Sequence, residues 1–266
     1  MTSICSLYSG SSGNSTYIGG ESGGILVDMG KSCRQTLQQM ARREIDPAGL
    51  RGVFITHEHI DHVRGLKVFL KNRPVPLYAS PATAAALRQK DALPPEVEVR
   101  YIDESCPARL PGFSVEAMAT SHDCEGSQGY IVTTDEGRKI TVATDMGVLP
   151  DRFYERVEGS DAVLIESNYD EDMLRACGYP YYLKRRIISE SGHLSNDCCA
   201  DAVEELTRRG VSRFLLAHLS INSNFPGLAF ETSAAKLRQM GALVGAGQDV
   251  MLEVMPRDEA SLLWAF

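Results

Sequence analysis

Short apolar runs of strand length alternate with segments of helical composition along the first third of the chain. The apolar runs end at turn or polar residues, as strands do, and the segments between them mix polar and apolar positions. The pattern predicts strands at 4–7, 15–18, 25–28 and 53–56, and helices at 32–43 and 63–70, the second ending near Pro74.

The rest of the chain repeats this alternation. A helix is predicted after Ser80 and Pro81, which are good residues for a helix start. Further strands are predicted at 77–79, 113–117, 130–134, 140–144, 162–165, 214–217 and 250–254, with a turn at 135–137, and helices at 181–188, 196–209 and 232–240. Because the strands fall into two groups with helices between and after them, we expect a layered α/β (α+β) fold with two sheets.

Composition narrows the class of protein. Hydrophobic residues make up 43 % of the 266 residues, so one domain over 1–266 can bury a sizeable core. A net charge of -8 argues against a surface coated in basic patches, although nucleic-acid binding depends on the local field. No run approaches the roughly 20 apolar residues of a membrane span, and the first ten residues lack the pattern of a signal peptide. Seven scattered cysteines without CxxC spacing predict reduced thiols and a cytoplasmic protein.

The sequence HEHIDH directly follows a predicted strand. It places His57, His59, Asp61 and His62 within six residues. His57 and His59 point the same way if the segment is extended, and Asp61 and His62 then turn with the start of the next helix toward a second point. Imidazole and carboxylate ligands suit zinc, manganese or iron. The spacing therefore predicts two neighbouring divalent metal ions, which roughly 3.5–4 Å apart can clamp an oxyanion.

The other polar candidates also stand at strand ends or helix starts. His122, Asp145 and His218 each follow a predicted strand, and His193 precedes a predicted helix. Binding sites are commonly built at such positions. A lone histidine there is more often hydrogen-bonded or exposed than a ligand, so HEHIDH carries most of the prediction.

Neutral and basic residues could bind phosphate. The candidates are Ser12, Asn14, Ser195, Asn196, Ser220 and Asn222, together with the basic run Lys184, Arg185 and Arg186. Tyrosines just before the basic run could stack a base. The alternatives are ordinary turn or cap chemistry for the first group and a solvated helix face for the second.

THEHIDH resembles the HxHxDH signature of the metallo-β-lactamase superfamily, and His122, Asp145 and His218 match its later motifs in order. The resemblance implies a four-layer αββα sandwich. It also implies that one ion binds His57, His59 and His122, that the other binds Asp61, His62 and His218, and that Asp145 bridges them. Asp28 resembles an early strand-end aspartate that orients a ligand; a turn-capping role is the alternative.

Finer motifs, among them SGSSGNS, IESNYD and GHLSN, resemble the bacterial YycJ/WalJ subfamily of DNA nucleases with 5′-exonuclease activity. GHLSN is also similar to the histidine motif of ribonuclease Z, in which a glutamate pairs with the histidine. The resemblance implies that His193, Glu166 and Asp61 are catalytic: His193 protonates the leaving oxygen and Glu166 fixes its tautomer. A helix-cap role for His193 is the alternative.

Three other functions are compatible with parts of the pattern. HxHxDH alone also fits a hydrolase of a thioester, lactone or β-lactam. A flavodiiron-type oxidoreductase is disfavoured because its glutamate is replaced here by His59. A metal-binding regulator without catalysis is disfavoured because every ligand position is occupied. Only 72 residues separate Asp145 from His218, too few for a β-CASP insertion, so a compact enzyme acting on DNA rather than RNA is expected.

Overall fold

The structure, a computed structural model, describes all residues from 1 to 266. Its contacts divide the chain into two compact units. The first unit comprises Met1–Ala119, Cys124–Arg138 and Pro256–Phe266, and the second comprises Thr120–Asp123 and Lys139–Met255.

A mixed sheet of seven strands forms the centre of the first unit. Its strands are β1 (Ser3–Tyr8), β2 (Ser15–Gly20), β3 (Gly23–Val27), β4 (Leu50–Phe54), β5 (Leu77–Ala79), β6 (Val99–Tyr101) and β14 (Trp264–Ala265), in the order β14-β1-β2-β3-β4-β5-β6. Pairing is antiparallel from β14 to β3 and parallel from β3 to β6. The carboxyl ends of β3 and β4 therefore lie side by side, at Asp28 and Thr56.

Three antiparallel strands pack against that sheet within the same unit. They are β7 (Ala108–Leu110), β8 (Phe113–Ala119) and β9 (Gln128–Thr134). Tyr130 of β9 is fully buried and packs edge-to-face with Phe54, with the ring centroids 5.4 Å apart. Its hydroxyl donates to the Ile55 carbonyl at 2.6 Å and accepts from Gln128 Nε2 at 2.8 Å. This contact supports the backbone just before the histidine-rich segment.

Four helices complete the first unit: α1 (Cys33–Arg42), α2 (Ile60–Val63), α3 (Leu66–Asn72) and α4 (Pro81–Gln89). Ser32 and Gln35 form a capping box at α1, and the predicted start of α4 is confirmed, with Ser80 as N-cap. The predicted helix 63–70 was wrong in its bounds. It is two helices separated at Gly65, where a Cβ would lie 2.4 Å from the Lys31 carbonyl oxygen.

The second unit contains a parallel sheet. Its strands β10 (Lys139–Ala143), β11 (Ala162–Glu166), β12 (Arg213–Ala217) and β13 (Met251–Val254) pair in that order. Its helices are α5 (Asp151–Val157), α6 (Glu171–Ala176), α7 (Tyr181–Ile188), α8 (Asn196–Arg208) and α9 (Pro226–Gln239). Asp145, Glu166 and His218 thus stand at or just beyond the carboxyl ends of three adjacent parallel strands, where α/β sheets usually place ligands.

Some elements of the second unit were missed or misplaced by the sequence pattern. Helices α5 and α6 have seven and six residues, too few to show a helical period. Helix α9 begins at Pro226, six residues before the predicted start, because proline is tolerated in the first turn of a helix. None of the helices has both the length and the apolar character required to cross a bilayer.

Candidate metal centre

The HEHIDH segment leaves the end of β4 and folds its histidines together. His57 and His62 are fully buried. His57 Nε2 lies 3.0 Å from His59 Nδ1, and the His57 and His62 ring centroids are 4.1 Å apart. Asp61 lies in the first turn of α2. The side-chain clustering predicted for this motif is therefore present in the first unit.

Asp28 contacts the Nδ1 side of the His62 ring. Its Oδ2 lies 2.7 Å from His62 Nδ1, and its carboxylate accepts hydrogen bonds from the Thr56 amide (2.9 Å) and hydroxyl (2.8 Å). Burial raises the pKa of Asp28, and the His62 and Thr56 contacts act in the opposite direction. With Nδ1 engaged, His62 turns Nε2 toward Asp61 Oδ2, at 3.5 Å. This is the arrangement that commonly orients a metal-binding histidine.

Asn14 ties the SGSSGN loop to the same segment. Its Nδ2 lies 3.1 Å from His62 Nε2 and 3.4 Å from Asp61 Oδ2, and its Oδ1 accepts from the Gly10 amide at 2.8 Å. The neighbouring Gly30 is required by a close approach, because a Cβ there would lie 1.6 Å from the Asp61 carbonyl oxygen. Asn14 is therefore a buried link between two loops.

Glu166 is the hub of the polar cluster in the second unit. Its Oε1 lies 2.8 Å from His193 Nδ1 and 2.7 Å from His218 Nδ1. Its Oε2 accepts from the Leu194 and Met146 amides at 3.1 and 3.2 Å. Burial works to raise the pKa of Glu166, but the two imidazoles outweigh it and hold that pKa below the ordinary value of a glutamate. The carboxylate is ionised and orients both rings.

Asp145 lies within reach of three histidines of this unit. Its Oδ1 is 3.5 Å from His218 Nε2, 3.7 Å from His193 Nδ1 and 3.9 Å from His122 Nε2. Asp145 and His218 have φ angles of 58° and 57°, and Asp28 in the first unit has 63°. Left-handed backbone is unfavourable outside glycine and collects at functional sites. Three of the predicted site residues therefore each have left-handed backbone just after the end of a strand.

The donor chemistry of both clusters fits divalent metal ions. In the second unit, one ligand atom from each of Asp145, Glu166, His193 and His218 lies within 4.8 Å of the others. The first unit supplies three clustered imidazoles and the Asp61 carboxylate. Nitrogen and oxygen donors of this kind suit zinc, manganese and iron.

The residues predicted to bind phosphate form hydrogen bonds with neighbouring groups. Ser195 is the N-cap of α8, and Ser12 accepts from Lys31 Nζ at 2.9 Å. The Asn196 amide group is 3.0 Å from Asn224 Oδ1, within a buried network that joins the loops after β11 and β12. Ser220 accepts from the Ser223 amide, and Asn222 donates to the Tyr179 hydroxyl at 2.8 Å.

The basic run on α7 is only partly open to a ligand. Lys184 Nζ donates to the Arg175 carbonyl at 2.6 Å, and Arg186 pairs with Asp123. The Arg185 guanidinium lies 6.0 Å from the Tyr181 ring centroid.

Two supporting residues were missed by the sequence analysis. Asn168 Nδ2 donates to the His218 carbonyl at 2.7 Å and lies 3.2 Å from its Nδ1. Thr56 bridges Asp28 and His57, with its Oγ1 2.9 Å from His57 Nδ1. The available signal was position, since Asn168 follows Glu166 by two residues and Thr56 immediately precedes HEHIDH.

A family model described as a β-lactamase superfamily domain matches residues 24–219. The chain belongs to the β-lactamase superfamily. Two relatives resemble it over nearly their whole length. The exodeoxyribonuclease YycJ of Bacillus anthracis is 32 % identical, with 92 % of each chain covered. The exodeoxyribonuclease WalJ of Streptococcus pneumoniae is 34 % identical, covering 97 % of this chain and 95 % of the relative.

A solved structure confirms the fold. Zn²⁺-bound PqqB from Methylobacterium extorquens superposes with a TM-score of 0.74 at 16 % identity, covering 99 % of this chain and 100 % of PqqB. The α/β metallo-β-lactamase sandwich expected from THEHIDH is therefore the fold of this superfamily member. The relationship to the YycJ and WalJ group, inferred above from short motifs, is confirmed along the chain.

Proposed function

We propose that this protein is a two-metal-ion phosphodiesterase that acts on nucleic acid, as a 5′-exonuclease on DNA. The observation that carries the proposal is the contact of the buried Glu166 with the partly exposed His193, with Oε1 and Nδ1 2.8 Å apart, within a cluster of metal-competent side chains. Hydrolysis of a phosphodiester expels an alkoxide oxygen, which is a poor leaving group unless it is protonated. The Glu166–His193 pair supplies a proton donor for it. The names of the two relatives, both exodeoxyribonucleases, support a DNA substrate.

The metal ligands are proposed as the superfamily motifs assign them. One ion would be held by His57, His59 and His122, the other by Asp61, His62 and His218, with Asp145 shared. Zinc or manganese is expected, and iron is compatible with the same donors. When bound, such ions polarise a phosphoryl oxygen and make a hydroxide nucleophile available near neutral pH.

His193 is proposed as the general acid. Because its Nδ1 faces the ionised Glu166, the proton on Nε2 is the one available to the leaving oxygen. Glu166 orients the ring through this contact. Asp61 is the third proposed catalytic residue, at the first turn of α2 beside His62.

The substrate strand is proposed to contact the small polar residues of the surrounding loops. Ser12, Ser195, Ser220 and Asn222 could donate to phosphate oxygens, and Lys184, Arg185 and Arg186 could follow the backbone. Asn14 and Asn196 are buried in loop-to-loop hydrogen bonds, so we propose that they act by holding those loops. All seven cysteines are thiols, which supports the reducing cytoplasm as the compartment.

A panel of substrates tests the proposal. Metal-loaded protein is given a 5′-phosphorylated DNA duplex, the matching single strand, the matching RNA, a thioester and a lactone. We expect release of mononucleotides from the DNA duplex at the highest kcat/KM of the panel. Hydrolysis of the thioester or lactone with no cleavage of any polymer would overturn the proposal, and so would stoichiometric metal binding without turnover on any ester.

A further inference from the structure

The first turn of α7 carries two neighbouring tyrosines that the proposed chemistry does not use. Tyr181 and Tyr182 are 76 % and 74 % exposed, which makes them the most exposed large aromatic side chains of the chain. Large aromatic faces are usually buried, and an exposed pair marks a surface that binds a partner. Both rings are therefore open to solvent in the first turn of α7.

The surroundings of this pair are cationic. Lys184, Arg185 and Arg186 follow on the same helix, and α7 contains no acidic residue, in a chain of net charge -8. The Arg185 guanidinium lies 6.0 Å from the Tyr181 ring centroid, and Lys184 and Arg186 are held by Arg175 and Asp123. Aromatic faces next to a cation complement a polyanion with exposed flat bases, which is an unpaired nucleic-acid strand.

The other end of α7 is attached to the proposed general acid. The His193 amide donates to the Ile187 carbonyl at 3.0 Å. Gly192 packs so closely on the helix end that a Cβ would lie 2.1 Å from the same oxygen. A helix rises about 1.5 Å per residue, so Tyr181 stands about 9 Å along the helix from Ile187. That length corresponds to about three nucleotides of a stacked strand.

We propose that Tyr181 and Tyr182 form a stacking platform for unpaired bases of the substrate strand, about three nucleotides from the bond that is cut. Arg185 contacts the adjoining phosphate. The inference rests on the proposed function and deepens it, because it names a substrate whose cleaved strand is single-stranded near its end. On a DNA duplex, such an enzyme works faster from an end with an unpaired segment than from a blunt end.

The test compares two DNA duplexes that differ only at one end. One has a six-nucleotide unpaired 5′ segment and the other is blunt. The double variant Tyr181→Ala/Tyr182→Ala is expected to raise KM on the first substrate by roughly tenfold to a hundredfold, the effect of losing one or two stacked bases, with a smaller change in kcat. Tyr181→Phe/Tyr182→Phe keeps the rings and should restore the wild-type KM.

A matched control is available in the first unit. Tyr101 is 61 % exposed on β6, and Tyr101→Ala should leave KM unchanged. Binding of a fluorescent oligonucleotide with the same unpaired segment is also measured in chelator, where no cutting occurs. The alanine pair should weaken this binding by the same factor, and the melting temperature of each variant verifies folding.

Three outcomes separate the two proposals. If Tyr181→Ala/Tyr182→Ala retains the wild-type KM and binding, the stacking platform is overturned and the proposed nuclease activity is unaffected. An equal loss on the blunt and unpaired substrates would also overturn it, because the contact would then be with the duplex. Tyrosine-dependent binding by a wild-type protein that cuts neither DNA would retain the platform and overturn the proposed reaction.

Discussion

The buried carboxylate of Glu166 contacts the partly exposed imidazole of His193, with Oε1 and Nδ1 2.8 Å apart. The same carboxylate oxygen lies 2.7 Å from Nδ1 of His218, at the end of the next strand. One buried acid thus orients two imidazoles, one proposed as a proton donor and one proposed as a metal ligand. Because the contact is shared, replacing Glu166 should affect both imidazoles, whereas replacing His193 should affect only one of them.

Replacing His193 with alanine should affect the chemical step alone. The imidazole donates a proton in the proposed mechanism, so His193→Ala is expected to lower kcat on duplex DNA by about 10²–10⁴-fold with KM changed little. Metal content, measured by elemental analysis, should equal that of the wild type. A variant that loses its metal would show that His193 is a ligand rather than the acid.

Replacing Glu166 with glutamine should have two effects. The neutral amide is a weaker acceptor, and its NH2 group would face either the two imidazoles or the Leu194 and Met146 amides. Glu166→Gln is therefore expected to lower kcat and to weaken metal binding through His218. Steady-state kinetics at saturating manganese, with metal titration by calorimetry, separate the two. Unchanged metal affinity would argue that the contact with His218 has no role in metal binding.

Asp28 should affect metal affinity through His62. Asparagine tolerates the left-handed backbone at this position, so Asp28→Asn removes the charge without adding strain. We expect metal affinity to fall about 10–100-fold. Asp135 lies exposed in a turn, and Asp135→Asn is the matched control that should bind metal as the wild type does. Equal affinity in all three proteins would exclude an orienting role for Asp28.

The Tyr130 hydroxyl is expected to contribute to the stability of the fold. Removing its hydroxyl leaves the buried Ile55 carbonyl and Gln128 amide group without their partner. Tyr130→Phe is expected to lower the free energy of unfolding by about 1–3 kcal/mol, measured by urea denaturation. Tyr101→Phe, on an exposed side chain, should change it little. Wild-type stability in Tyr130→Phe would mean that water or rearrangement replaces the lost contacts.

Metal should stabilise the folded chain. Buried histidines and carboxylates that bind an ion only when folded shift unfolding by mass action, by about 2.7 kcal/mol at a metal concentration 100 times Kd. Chelation is therefore expected to lower the melting temperature and abolish DNA cleavage, and added manganese or zinc should restore both. A melting temperature independent of metal would contradict a site built from these buried residues.

The clustering of the candidate site residues could be predicted from sequence better than the residues that contact and orient them. HEHIDH carries its chemistry in six consecutive positions, so local spacing alone indicated clustered imidazoles. Asn168 and Thr56 are ordinary residues whose importance comes from what they contact after folding. The buried hydrogen bonds of Asn14 and Asn196 likewise join loops that are distant in sequence.

For the fold as well, features set by local sequence could be predicted, whereas features set by tertiary contacts could not. The larger strands were predicted because apolar runs mark them directly. The break at Gly65 was not, since it depends on the loop after β3 passing close to the helix. Short helices α5 and α6 lack the length at which periodicity becomes visible.

The proposed two-metal-ion reaction is tested by measuring metal content and the cleavage of one DNA substrate together. Metal-free protein is titrated with manganese or zinc while mononucleotide release from a 5′-phosphorylated DNA duplex is followed, beside His59→Ala. We expect activity that rises to a plateau at two ions per wild-type chain and is lost in His59→Ala. Full activity without metal, or no cleavage of DNA at any metal concentration, would contradict a two-metal-ion reaction on DNA.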